Sequence, residues 1–256
     1  MFDCVILAGG EKNELVRQEG VANKALLKIG GKEMVRTVLD VFRQIDEINK
    51  IVLVGPEKEL SFLKGEYPVE ILPESNSLMG NLVLAARFLG TKNYLLISSS
   101  DTPLLSTASV TDFIRQCLPL DYDFYYPIVA KEESEKMFPG EKRTFIILKE
   151  GTFTGGNLFL VNPAHIEPLA PSVEKFLECR KNPVKMASLL GTGFVFGLLM
   201  KRLSLSQLEE RASNLLQIKA KAVISSYPEI GFDVDKPSDL EIIRRKMYAL
   251  NKGGGE

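Results

Sequence analysis

Through the first half of this 256-residue chain, short β-branched runs that end in glycine or glycine-proline alternate with amphipathic segments. The strand-like runs are DCVILAG (3–9), KIVLVGP (50–56) and KNYLLISSSDTP (92–103), with a shorter extended piece, VEILPES (69–75). Between them, KEMVRTVLDVFRQI (32–45) sets Met34, Val35, Val38, Leu39 and Phe42 on one helical face, and LMGNLVLAARFL (78–89) repeats the pattern. Strand–helix alternation of this kind dictates an α/β fold. A mostly parallel sheet is covered by helices on both faces, and ligands sit at the carboxyl ends of its strands.

After residue 120 the rhythm changes. DFYYPIVA (123–130), KRTFIILKEG (142–151) and TFTGGNLFLVNP (152–163) read as extended segments, with turns at Pro139-Gly140, Gly151 and Gly155-Gly156. The sheet is therefore expected to be mixed, in a three-layer arrangement. From Pro163 to about Leu216 the pattern is helical, then KAVISSYP (221–228) reads as a strand and the segment after DVDKPSD as a last helix. The expected organisation is one domain over residues 1–250 with a helical insertion at about 163–216, followed by a flexible tail at 251–256.

Bulk properties narrow the function classes. A net charge of −1 provides no field for nucleic acid or anionic lipid, so neither is an expected partner. Cys4, Cys117 and Cys179 are scattered without a C-x-x-C, which fits a reducing cytoplasm, and no basic leader precedes the first strand. The longest apolar run, Met186 to Met200, is shorter than the roughly 20 residues of a bilayer span. It reads as a buried helix or helix pair, with a lipid-facing surface as the alternative. His165 is the only histidine and has no nucleophile motif beside it, so it is expected to be solvated or to cap a helix.

Four stretches carry polar residues where such a sheet exposes them. Leu7-Ala8-Gly9-Gly10, with Lys24 downstream, suits a loop whose backbone N–H groups approach phosphate while a lysine supplies charge. Asp101 follows a buried strand in SSSDTPLL and can hold a divalent metal, or can cap a helix starting at Thr102-Pro103. Thr154-Gly155-Gly156-Asn157 is either a turn or a place where backbone closes on a substrate. Asp233 and Asp235 flank Val234 in an extended segment, so both face the same side; two such carboxylates need a cation or hydrogen bonds. The rival reading has Asp235 or Ser238 capping the last helix.

In order and spacing, VILAGG, NKALLKIGGKEMV, SSSDTPLL and DVDKPSDLE together resemble the MobA-like NTP transferases, nucleotidyltransferases of the glycosyltransferase-A-like (GT-A-like) fold. The resemblance implies a nucleotide-diphospho-sugar transferase fold and transfer of an NMP from an NTP to a small phosphorylated acceptor, with pyrophosphate released. It implies Lys24 and Asp101 as catalytic groups, and Leu7, Ala8, Gly9, Gly10, Lys24, Gly80 and Asn81 around the nucleotide. Asp101, Asp235 and Asp233 would hold Mg2+, or Mn2+ in its place. For the acceptor, Arg143, Thr154, Gly156, Asn157 and Lys185 are the candidates, with Arg180 and Lys181 beside Lys185, the rival reading of these basic residues being charge on a solvated helix face; a homodimer is compatible with the pattern. The sequence departs from the family in one loop. GGEKNELVRQEGVANK lacks the usual G-x-R, has Asn23 where a proline often precedes the lysine, and carries Glu11, Glu14 and Glu19; Lys12 or Arg17 would have to replace the arginine. The alternatives are a GT-A glycosyltransferase using a nucleotide-sugar and a nucleotide-binding regulatory protein without turnover.

Overall fold

The computed structural model describes residues 1–10, 14–141, 143–179, 188–189 and 191–253. Among them, eleven strands form: β1 (Phe2–Leu7), β2 (Lys28–Ile29), β3 (Lys32–Glu33), β4 (Ile48–Gly55), β5 (Val69–Pro73), β6 (Tyr94–Ser99), β7 (Phe124–Ala130), β8 (Ile146–Leu148), β9 (Gly151–Gly155), β10 (Leu158–Val161) and β11 (Ala220–Ser225). The helices are α1 (Glu14–Gln18), α2 (Met34–Phe42), α3 (Glu57–Leu60), α4 (Leu78–Leu89), α5 (Thr107–Cys117), α6 (Lys131–Met137), α7 (Ile166–Cys179), α8 (Thr192–Leu199), α9 (Leu205–Leu216) and α10 (Pro237–Gly253).

Nine strands make one sheet in the order β5-β4-β1-β6-β10-β7-β9-β8, with β11 on the other side of β7. The β5-β4-β1-β6 half is parallel, as the strand–helix alternation dictates; β10 joins it antiparallel to β6, so the sheet is mixed. Alternate side chains of β1 feed the two faces. Cys4 and Ile6 pack with Val35, Val38, Leu39 and Phe42 of α2 and with Val110 and Phe113 of α5. Val5 packs with Met79, Leu82 and Ala85 of α4 and, more peripherally, with Val173 and Leu177 of α7. Two helical layers on one sheet give the three-layer α/β arrangement.

The structure departs from the sequence expectations in four places. The Gly155-Gly156 pair does not reverse the chain. In both β9 and β10 the residues pair antiparallel with β7, but the register moves by two between Ile128–Gly155 and Tyr125–Leu160, so one strand is interrupted at Gly156-Asn157. A Cβ on Gly155 would lie 1.6 Å from the Tyr126 hydroxyl, and one on Gly156 would lie 2.8 Å from Pro127 Cγ, so only glycine allows β7 this close. The helix after Asp101 begins at Thr107, where Ser106 and Ser109 form a reciprocal cap; Asp101 lies in a turn and caps nothing. The apolar run around α8 is not fully buried: Phe196 is 62% and Met200 46% exposed, while among the described residues α8 packs on β8 and its Gly197 lies against Leu203. The last helix continues to Gly253, past the residue where a tail was expected to start. None of the described helices is long and apolar enough to cross a membrane.

Candidate active site

The parallel strands deliver three loops to one edge. Ala8 N–H donates to Val54 O (2.8 Å), and Ser100 N–H donates to Leu7 O (2.9 Å), which locks the glycine loop between the ends of β4 and β6. Past β6, Thr102 Oγ1 donates to Ser99 O (3.0 Å) and the Ser99 hydroxyl donates to Asp101, so the turn aims the Asp101 carboxylate outward. From the far end of the chain, Val234 N–H donates to Asp101 O (2.9 Å). This single backbone bond fixes the DVD segment beside the β6 turn.

In that segment Phe232 and Val234 are buried with Phe138, Leu15 and Leu240, which leaves Asp233 and Asp235 on the opposite side. Carboxylate oxygens of Asp101, Asp233 and Asp235 lie within 4.8 Å of one another. Lys24 reaches the same spot: its Nζ donates to Asp101 Oδ2 (2.5 Å) and to Asp235 Oδ1. Asn23 positions that lysine: its Oδ1 accepts from Ala25 N–H (2.7 Å) and caps the short helical turn Lys24–Leu26.

Electrostatics follow from the crowding. Burial works against the charge of Lys24, but Asp101 and then Asp235 outweigh it and hold the ammonium above its ordinary value. For Asp235 burial is likewise opposed, here by the Lys24 hydrogen bond, and its carboxyl is held below the usual range. Asp233 is different: burial first, then repulsion from Asp235 and Asp101, pushes it up to about 7. An ammonium already held by two of the three clustered carboxylates, Asp101 and Asp235, shows that the cluster suits a cation, and an oxygen-only set of this kind fits a hard divalent ion such as Mg2+ or Mn2+ better than zinc.

The glycine loop presents donors to anions. Gly10 N–H, on a residue at φ +141°, donates to the Glu74 carboxylate (3.3 Å), and Gly9 is so close that a Cβ would lie 2.2 Å from Glu74 Oε2. Gly80 and Asn81 begin α4 on the same loop. Gly80 N–H donates to the Ser77 cap (3.0 Å), a Cβ there would meet Ser75 Oγ at 2.4 Å, and Asn81 Oδ1 accepts from Ser75 N–H (2.6 Å). Both residues thus shape the loop that carries Glu74 to the glycines.

On the other flank, a cleft of about 540 Å3 is lined by Tyr126, Arg143, Thr154, Asn157, Asp233 and Asp235, among others. Asn157 Nδ2 donates to Asp233 Oδ1 (3.0 Å) and to Gly231 O (3.1 Å), so the strand interruption exists to bracket a carboxylate. Arg143 Nε donates to the buried Thr154 hydroxyl (3.4 Å). Gly156 N–H donates to Pro127 O (2.8 Å), an internal bond rather than a free donor. Lys185, with Arg180 and Lys181, lies outside the described residues, as do Lys12 and Glu11. Arg17 is exposed on α1, while Glu19 accepts two hydrogen bonds from Arg244 (2.6 and 3.0 Å) and Glu14 one from Gln18 (3.0 Å), so these acids turn away from the glycines. His165 is half-buried beside Asp123 (3.1 Å), outside this cluster.

The capping alternative for the DVD segment is corrected. Asp239 accepts from the N–H groups of Asp235 (3.0 Å) and Lys236 (2.9 Å), so it caps α10 and leaves Asp235 to face Lys24; the Ser238 hydroxyl donates to Asp239. An acid at the third helical position after proline carries that signal in the sequence. Glu74, Tyr126 and Glu141 carry none, because only the fold brings them to the edge.

A sequence profile for the MobA-like NTP transferase domain matches residues 4–191. A protein from Thermus thermophilus, solved as a hypothetical transferase, superposes with a TM-score of 0.82 at 35% identity, covering 93% of this chain and 99% of its own. The bifunctional protein GlmU of Clostridium novyi (strain NT) is 31% identical over 116 residues, 44% of this chain, and the chain spans only 25% of that protein's length. A CMP:2-keto-3-deoxy-manno-octonic acid synthetase solved with CTP has a TM-score of 0.62 at 12% identity, over 98% of this chain and all of that one, a likeness of fold alone. With a profile spanning most of the chain and the motifs converging on one sheet edge, the chain belongs to the MobA-like NTP transferase family, the nucleotidyltransferases of the GT-A-like fold.

Proposed function

We propose that this nucleotidyltransferase moves an NMP from an NTP to a small phosphorylated acceptor, and that it depends on Mg2+, with Mn2+ able to replace it. The observation that carries the reading is the Lys24 ammonium held between Asp101 and Asp235, with Asp233 alongside, at the strand edge next to Gly9-Gly10. In the reaction an acceptor phosphate oxygen attacks the α-phosphorus, the new P–O bond forms, and the bond to the bridging oxygen breaks, so pyrophosphate departs with the electron pair. An ionised phosphate needs no general base, which fits a site without histidine.

Asp101, Asp233 and Asp235 would hold the metal, which when bound offsets charge on the phosphate oxygens. The chain's own part is positioning. Leu7, Ala8, Gly9 and Gly10 form the loop along the phosphates; the Gly10 N–H that now donates to a carboxylate supports an anion-binding role. Lys24 exchanges its carboxylate partners for phosphate oxygens and stabilises the charge that develops there. Gly80 and Asn81, through the loop they shape, border the nucleoside, while Arg143, Thr154, Gly156 and Asn157 border the acceptor. Residues 163–216 are taken as a helical insertion within one domain over 1–250.

The test is pyrophosphate release with each of ATP, CTP, GTP and UTP, Mg2+ and a panel of sugar, polyol and cofactor phosphates. Acceptor-dependent release that stops in chelator is expected. Sugar transfer from a nucleotide-sugar without pyrophosphate, or nucleotide binding without turnover across the panel, would contradict the reading.

A further inference from the structure

Glu141 lies in the acceptor cleft but belongs to none of the sequence motifs. It follows the Pro139-Gly140 turn, its N–H donates to Phe138 O (3.2 Å), and the Phe138 ring packs on Phe232 at 4.4 Å between centroids. The side chain is only 9% exposed and lines the cleft. Its Oε1 lies 3.3 Å from Arg143 Nη1, yet its Oε2, fully buried, has no donor among the described residues. A buried acceptor left without a partner is costly and calls for an explanation. Burial, only partly offset by Arg143, holds the Glu141 carboxyl above its usual range.

Arg143 is committed as loosely. Its contacts are long: 3.4 Å to Thr154 Oγ1, 3.5 Å to Gly155 O, 3.3 Å to Glu141 and 3.9 Å to Asp233. A guanidinium has five donors in a planar fork that suits phosphate. One flank of the cleft therefore pairs an under-used cation close to Asp233 with an orphan acceptor one step farther out. Tyr126, Ile146 and Phe153 add apolar surface to the same cleft.

We propose that Arg143 takes the phosphate of the acceptor and Glu141 Oε2 accepts a hydrogen bond from a hydroxyl of the same molecule, so that the acceptor is a sugar or polyol phosphate. A ligand ammonium at Oε2 is disfavoured by Arg143 beside it, whereas a hydroxyl is neutral and donates one hydrogen bond. The C–H faces of a polyol match the Tyr126, Ile146 and Phe153 surface. A simple alkyl phosphate, which has no donor besides its phosphate, leaves Oε2 unpaired. This inference rests on the nucleotidyltransferase reading and narrows its acceptor.

The experiment compares wild type, Glu141→Ala and Glu141→Gln with the preferred NTP and three acceptors: a pentitol phosphate, an aldose phosphate and propyl phosphate. Wild type should prefer the hydroxylated acceptors. In Glu141→Ala, KM for those acceptors should rise by about 10–100-fold, the worth of one hydrogen bond to a charged group. KM for the NTP and for propyl phosphate should change less than about twofold, and Glu141→Gln, which keeps an acceptor oxygen, should fall between. Equal KM changes for propyl phosphate and pentitol phosphate, or a wild type indifferent to hydroxyls, would overturn the proposal. Calorimetric binding of pentitol phosphate to folded wild type and variants is measured in parallel. If no NTP releases pyrophosphate, the functional reading fails. Glu141 is then judged by binding alone: binding lost in Glu141→Ala supports it, and unchanged or absent binding overturns it.

Discussion

Replacing Asp233 with asparagine removes one of three clustered carboxylates while preserving size and an oxygen that can accept from Asn157 Nδ2. In the metal-free protein, burial and the charges of Asp235 and Asp101 raise Asp233 from 3.8 to about 7. At about 1.36 kcal/mol per pKa unit, keeping it ionised above pH 7 costs at most about 4 kcal/mol. That bound already includes the attraction of Arg143 at 3.9 Å; with the Asp233 side chain 28% exposed, solvent screening reduces it, so the expected net gain is about 1–2 kcal/mol, or roughly 2–8 °C in Tm for a chain of this size. The sign follows from linkage. A carboxyl raised on folding imposes no penalty below pH 4 and its full penalty above pH 7, so wild-type stability falls across that window and the variant's does not. Thermal unfolding in EDTA at pH 5, 6, 7 and 8 should give curves that converge in acid and separate in base, with the variant above. Millimolar Mg2+ should reverse the order, because only the native cluster gains stability by binding the ion. A variant less stable than wild type in EDTA at pH 8, or a gain as large at pH 5 as at pH 8, would show that the ionised Asp233 imposes no such penalty.

Lys24→Ala should lower turnover by about 10²–10³, as expected for one preorganised charge stabiliser, and should also lower the metal-free Tm by leaving the carboxylates unpaired, a loss that Mg2+ restores. Steady-state kinetics and melts with and without Mg2+ check both parts. Gly155→Ala should destabilise by about 1–3 kcal/mol, since its Cβ would lie 1.6 Å from the Tyr126 hydroxyl. In a double-mutant cycle with Tyr126→Ala, urea unfolding should show that the cost largely disappears. For Asp123, burial is outweighed by hydrogen bonds from Lys219 N–H, Asn162 and His165, and its carboxyl is held below the usual range. Its stabilisation is present above about pH 4 and lost as pH falls through the lowered value. Acid unfolding of Asp123→Asn should therefore show a shallower fall below pH 4 than wild type.

The parallel half of the sheet was legible because its signals are local. Periodicity marked α2 and α4, and β-branched runs ending in glycine marked β1 and β4. The Lys24, Asp101 and Asp233/Asp235 constellation could be read from motif order, although only Asp101 follows a strand; Lys24 opens a short helical turn, and the aspartate pair lies in the extended segment before α10. What escaped depends on long-range contact. Gly155-Gly156 has the composition of a turn, and only the approach of Tyr126 makes it an interruption within a strand. Asp101 precedes a threonine-proline pair that could open a helix, yet Ser106 with Ser109 supplies the stronger cap farther on. Polar α6, KEESEKM, has no apolar stripe to announce it and folds where its first turn gains Glu132 and Glu133. Glu74 and Glu141 have no motif; one is carried to the glycines by the α4 loop, the other is buried by a turn packed on Phe232.

Transfer of the nucleotidyl group itself is followed by label from NTP carried either on the α- or on the γ-phosphate, with Mg2+ and a sugar or polyol phosphate. The α-label should appear in the acceptor product while the γ-label leaves as pyrophosphate, and Asp101→Asn should abolish both. Label from the γ-phosphate in the acceptor, or transfer of a sugar with neither label moving, would rule out nucleotidyl transfer at this site.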